Sequence, residues 1–140
     1  MIYKSNSPKE THNIAKAFAK ELKPGDILCL DGDLGVGKTA FVQGLCNALG
    51  VKEPISSPTF TIVNCYSGNL PVYHFDVYRI DDPDEMYEIG FEEYIDSDGI
   101  SVIEWSERIR EIIPKDHYEI TISKDYTKHD DFRYINIEKY

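Results

Sequence analysis

The stretch GDLGVGKT, Gly32 to Thr39, constrains this chain more than any other. Gly32, Gly37, Lys38 and Thr39 have the spacing of a phosphate-binding loop. In such a loop the backbone N–H groups turn inward around a phosphate. Glycine at 35 and 37 permits the positive φ and close approach that a bulky side chain forbids. Lys38 brings a point charge for the β- and γ-phosphates, and Thr39 a hydroxyl for Mg²⁺. The pattern is informative only if it follows a buried strand and opens a helix, and here it does both. Ile27-Leu28-Cys29-Leu30 is an apolar run introduced by Pro24-Gly25, which predicts a short buried strand. After the loop, Phe41, Val42, Leu45, Cys46 and Leu49 recur at helical spacing, and Gly50 reads as the stop. The N-terminal partial positive charge of that helix would face the phosphates.

The rest of the chain supplies the other parts of an α/β domain. Residues 2–4 predict a short edge strand. Ser7-Pro8-Lys9-Glu10 reads as a helix start, with Ser7 as cap, Pro8 in the first turn and Glu10 closing a capping box. Ile14, Ala15, Phe18, Ala19 and Leu22 give that helix one apolar face. Thr59 to Tyr66 and Val72 to Ile80 are β-rich runs joined through Ser67-Gly68-Asn69, which predicts a hairpin. A hairpin is unexpected where crossovers between parallel strands are the rule. Asp81 to Asp84 starts a helical piece with Met86, Ile89 and Phe91 turned inward. Ile100 to Ile103 is a short strand ending at Glu104-Trp105, and Ser106 is placed to cap a helix over 107–113. Residues 117–123 and 132–138 alternate apolar and polar, an antiparallel pair with one wet face. The chain reads as a single domain over 1–140.

The bulk numbers narrow the function classes. A length of 140 residues fits one domain, and 41% hydrophobic content supports a core. The net charge of −10 argues against direct, nonspecific binding to nucleic acid or an anionic membrane. Lys124, Lys128, His129 and Arg133 are a modest basic group diluted by Asp125, Asp130 and Asp131. Cys29, Cys46 and Cys65 lack metal-ligand spacing and read as small buried thiols in a reducing compartment. No apolar run approaches the ~20 residues of a membrane helix, so a cytoplasmic location is expected.

A phosphate loop binds nucleotide but hydrolysis needs more: a carboxylate to hold Mg²⁺ and a group to orient water. Two acids follow or interrupt β-rich runs, Asp76 and Glu104. Ligands in parallel α/β sheets lie beyond the carboxyl ends of the strands, which favours Glu104. Position alone leaves it either beside the metal or attacking water, or exposed at a strand end. His74, Asp76 and Tyr78 share one face of their strand. That row is either a polar network at the site or a wet sheet surface.

Gly32 to Thr39, Ser57-Pro58-Thr59-Phe60-Thr61, His74-Phe75-Asp76-Val77-Tyr78-Arg79 and Val102-Ile103-Glu104-Trp105, in this order, resemble the TsaE family. These are small bacterial ATPases required for threonylcarbamoyl modification of adenosine 37 in tRNA. The resemblance runs from about residue 7 to residue 123. It implies a P-loop NTPase-like three-layer α/β fold, with a parallel core sheet flanked by antiparallel strands, which accommodates the hairpin. It implies that Gly35, Val36, Gly37, Lys38, Thr39 and Ala40 hold the phosphates of ATP. Thr39 and Glu104 would hold Mg²⁺, and Lys38, Asp76 and Glu104 would carry catalysis. Thr59 would belong to a loop sensing the γ-phosphate, Trp105 would lie by the site, and Thr11 near the base. Val36 replaces a frequent alanine and Ala40 a frequent second threonine. The last 17 residues match weakly, so Arg133 is given no role beyond a contact at the rim.

By the same resemblance the chain is an ATPase subunit for a partner pair, TsaD and TsaB, reaching tRNA only through them. No arginine finger is evident, Arg79 being the one motif arginine, so weak turnover without partners is expected. Two rivals use the same loop. A small-molecule kinase usually has a mobile basic lid, and no lid-like insertion with clustered arginines is present. A non-hydrolysing nucleotide sensor would be untouched in its chemistry by Glu104→Ala.

Overall fold

The structure, a computed structural model, describes residues 1–32, 36–58 and 62–140. Its strands are β1 (Ile2–Ser5), β2 (Ile27–Asp31), β3 (Val63–Tyr66), β4 (Val72–Asp76), β5 (Ile100–Glu104), β6 (Tyr118–Lys124) and β7 (Arg133–Lys139). They form one sheet in the order β1-β7-β6-β2-β5-β4-β3. The inner strands β6, β2, β5 and β4 are mutually parallel. β3 pairs antiparallel with β4 on one margin, and β7 and β1 add antiparallel strands on the other. The hairpin is therefore β3–β4, and the alternating C-terminal pair is β6–β7. A central parallel strand must be apolar on both faces. β2 and β5 satisfy this, with Ile27 to Leu30 and all of β5 buried.

Alternation along β2 sorts the layers. Leu28 and Leu30 face helices α1 (Pro8–Ala19) and α2 (Lys38–Ala48), in one core with Ala15, Phe18, Phe41, Leu45, Val102 and Ile120. Ile27 faces the other side, in a second core with Phe75, Ile103, Met86, Phe91 and Ile109. That side is covered by α3 (Glu85–Glu88), α4 (Phe91–Ile95) and a 3-10 helix over Ser106–Ile112.

The cap of α1 forms as its sequence dictates. The Glu10 N–H donates to Ser7 Oγ at 3.1 Å. The Glu10 carboxylate returns to the Asn6 N–H at 3.1 Å, one residue earlier than in a strict capping box. α2 ends in a Schellman motif at Gly50 (φ +81), with the Val51 N–H on the Cys46 carbonyl at 3.0 Å. Between them, α1 and α2 meet at Gly44, where an added Cβ would stand 2.3 Å from the His12 carbonyl oxygen.

Three expectations need correction. The helical piece after Asp81 is two short helices, broken between Glu88 and Phe91. Ser106 is the first residue of the 3-10 helix and not its cap; its hydroxyl donates to Asp31 Oδ1 at 3.2 Å. Cys65 is exposed on β3, the strand at the margin of the sheet, while Cys29 and Cys46 are buried.

Candidate functional site

β2, β4 and β5 end together. Leu30 and Asp76 are both register partners of Glu104. β2 ends at Asp31 at this edge, and α2 begins at Lys38. Gly37 precedes it at φ +111, with nothing among the described residues within 4 Å of an added Cβ. The requirement for glycine there is thus one of backbone hand and not of space.

Glu104 is the hub. It is 4% exposed, Lys38 7% and His74 1%. Lys38 Nζ lies 3.6 Å from Glu104 Oε1, and His74 Nε2 lies 2.5 Å from Glu104 Oε2. The Lys38 ammonium also sits over the Trp105 ring, 4.7 Å from its centroid. Burying a carboxylate is expensive unless paired and hydrogen-bonded, and here each oxygen has its own partner. Glu104 is therefore not an exposed strand-end acid. The polar row on β4 is likewise a buried network at His74, two positions before the strand's end. Its other ring nitrogen, Nδ1, is buried without a partner among the described residues. Tyr78 lies beyond the end of β4, exposed, with its ring 4.8 Å from that of Trp105.

Asp76 stands beside Glu104 and is half-buried. Burial pushes its carboxyl above the ordinary aspartate range. The Tyr78 N–H, donating at 3.0 Å, opposes the rise, and neighbouring Glu104 adds to it. A carboxyl so placed suits a group that orients water or takes a proton. Trp105 adopts φ +62, the one non-glycine residue of positive φ among the described residues. Strained backbone of this kind gathers at functional sites.

The remaining predicted residues fall as follows. Thr39 Oγ1 is 3.4 Å from Ser57 Oγ, joining the start of α2 to the Ser57-Pro58 loop. Val36 is buried and Ala40 lies in the first turn of α2. Gly35 and Thr59 lie outside the described residues. Thr11 is buried on α1 with its hydroxyl 2.8 Å from Ser5 Oγ. It makes none of the described contacts that join Lys38, His74, Glu104 and Trp105. Asp31, although at the end of β2, faces the opposite layer with Ser106. Sequence reasoning allowed Arg133 no more than a contact at the rim, but its Nε donates to the Val36 carbonyl at 2.7 Å. No local signal announces a contact that spans 97 positions.

A parallel core whose central strand feeds a helix-opening loop, with a buried acid on the tip of the next parallel strand, defines the P-loop class of α/β proteins. A family model described as threonylcarbamoyl adenosine biosynthesis protein TsaE matches residues 5–132. The chain belongs to the TsaE family. It is 43% identical over 123 residues to the Bacillus subtilis tRNA threonylcarbamoyladenosine biosynthesis protein TsaE, covering 87% of this chain and 77% of that one. The protein of the same name from Rickettsia typhi is 45% identical over 119 residues, covering 84% and 82%. That from Treponema pallidum is 40% identical over 119 residues, covering 85% and 87%. The crystal structure of Bacillus subtilis YdiB is similar with a TM-score of 0.79 and 38% identity, over 98% of this chain and 83% of that one.

Proposed function

We propose that this chain is a Mg²⁺-dependent ATPase subunit of tRNA threonylcarbamoyladenosine biosynthesis, working in the cytoplasm on a TsaD–TsaB partner pair. The observation that carries the reading is Lys38, first residue of the loop-borne helix, held 3.6 Å from Glu104 on the adjacent strand tip. Lys38 and the N–H groups at the start of α2 would bind the β- and γ-phosphates. The Thr39 hydroxyl and the Glu104 carboxylate are hard oxygen donors of the kind Mg²⁺ takes, and a phosphate-bound Mg²⁺ needs only one or two protein ligands. When bound, Mg²⁺ supplies neutralisation of the charge on the phosphate oxygens. Asp76, half-buried beside Glu104, would orient the attacking water. With an acidic surface and a net charge of −10, tRNA would be held by the partners and not by this chain.

The test is phosphate release from ATP with the full chain alone, with the TsaD–TsaB pair, and with the pair plus tRNA. Release without any acceptor separates an ATPase from a kinase, and stimulation by the pair is expected. Glu104→Ala should abolish release; unchanged release in that variant removes Glu104 from catalysis.

A further inference from the structure

Arg133, the first residue of β7, reaches the phosphate loop from the β6–β7 hairpin. Its Nε donates to the Val36 carbonyl at 2.7 Å. Its Nη1 donates to the Phe132 carbonyl at 2.8 Å and to the Asp130 carbonyl. One planar guanidinium thus ties the hairpin to the residue before Gly37. Among the described residues no carboxylate lies within ion-pairing distance of it, so its charge is directed at neutral carbonyls. The base of the loop is close against the same hairpin. An added Cβ on Gly32 would stand 2.6 Å from the Ile122 carbonyl oxygen and 2.8 Å from Val36 Cγ1.

In a trans peptide the C=O and N–H groups point in opposite directions. With the Val36 carbonyl turned to Arg133, the Gly37 N–H turns away from the hairpin. Nothing in glycine itself holds that orientation, since Gly37 accepts φ of either sign. A flipped Val36–Gly37 peptide would offer an oxygen, and not an N–H, to an anion in the loop. We propose that Arg133 is a positioning residue, which clamps this peptide so that the Gly37 N–H is presented to the phosphates of a bound nucleotide. The proposal rests on the phosphate-loop reading above.

The full chain is titrated with ATP and Mg²⁺, following the fluorescence of Trp105, its single tryptophan, and the amide resonance of Gly37 in ¹⁵N-labelled protein. Wild type, Arg133→Met and Arg133→Lys are compared well below their melting temperatures. Wild type should bind and shift its Gly37 resonance. In Arg133→Met the dissociation constant should rise about tenfold, the loss of one charge-assisted hydrogen bond, and the Gly37 shift should disappear. Arg133→Lys keeps the charge without the fork and should recover only part of the affinity. Unchanged affinity and Gly37 shift in a folded Arg133→Met overturn the proposal and leave the phosphate-loop reading standing. A lower melting temperature with full affinity makes Arg133 a brace of the fold and also overturns it. If Arg133→Met does not fold, wild-type affinity in Arg133→Lys overturns it. Wild type that binds no nucleotide overturns both readings.

Discussion

Replacing His74 with alanine removes the imidazole whose Nε2 stands 2.5 Å from Glu104 Oε2. A hydrogen bond to a charged group contributes about 1.5–3 kcal/mol. Deleting the ring from a position 1% exposed leaves a void that adds about 1–2 kcal/mol. The sum is about 2.5–5 kcal/mol. It is not larger because Lys38 still lies 3.6 Å from the other carboxylate oxygen, so Glu104 is not stranded. At about 3 °C per kcal/mol for a chain of this size, the melting temperature should fall by roughly 8–15 °C. Volume and hydrogen bonding are separated by a double-mutant cycle of His74→Ala and Glu104→Gln, measured by urea unfolding. A coupling energy of about 1–3 kcal/mol is expected. His74→Gln, whose amide can still donate to Glu104, should keep part of the lost stability. A coupling within about 0.5 kcal/mol of zero, or equal loss in His74→Ala and His74→Gln, would refute the view that His74 holds Glu104.

Gly44→Ala gains about 1 kcal/mol of helix propensity, but its Cβ would meet the His12 carbonyl oxygen at 2.3 Å. Overpacking of about 1–3 kcal/mol should dominate, and a raised melting temperature would contradict the close approach of α1 and α2. Burial, reinforced by Glu107, raises the Asp31 carboxyl above the ordinary aspartate range. A raised folded-state value favours folding below the unfolded value and loses that favour as the pH climbs through the folded one. Asp31→Asn should therefore be more stable than wild type at neutral pH. The difference should close as urea unfolding is repeated at falling pH, below the ordinary aspartate range. Burial pushes the Cys29 thiol up to about 11 and the Cys46 thiol up to about 12, whereas Cys65 is exposed. Iodoacetamide at pH ~8 should label native protein at Cys65 alone and unfolded protein at all three cysteines, read by mass spectrometry.

What the sequence disclosed was local. The strand, loop and helix from Ile27 to Gly50 are legible because three kinds of signal abut: an apolar run, a glycine pattern and a 3.6-residue period. The β3–β4 hairpin is legible from its turn residues, and β6–β7 from alternation. Period also told which residues share a face, putting His74 with Asp76. It could not tell what that face meets, because β4 lies beside β5 only through a crossover. The contact of His74 with Glu104, 30 positions away, is therefore invisible before folding. Ser106 looked like a cap because serine often is one, but the half-buried Asp31 carboxyl claimed its hydroxyl. Arg133 sits just past the family match, which ends at residue 132, and only the sheet order brings it to the loop.

Lys38 is not a vacant ammonium awaiting an anion, since Glu104 and the Trp105 ring already occupy it. On the proposed reading, a phosphate bound here draws Lys38 away from Glu104 Oε1, while His74 keeps its hold on Oε2. The Oε1 side of the carboxylate is then left facing the newcomer's own negative oxygens. Arrival of the anion and demand for a cation would then be one event at this strand tip.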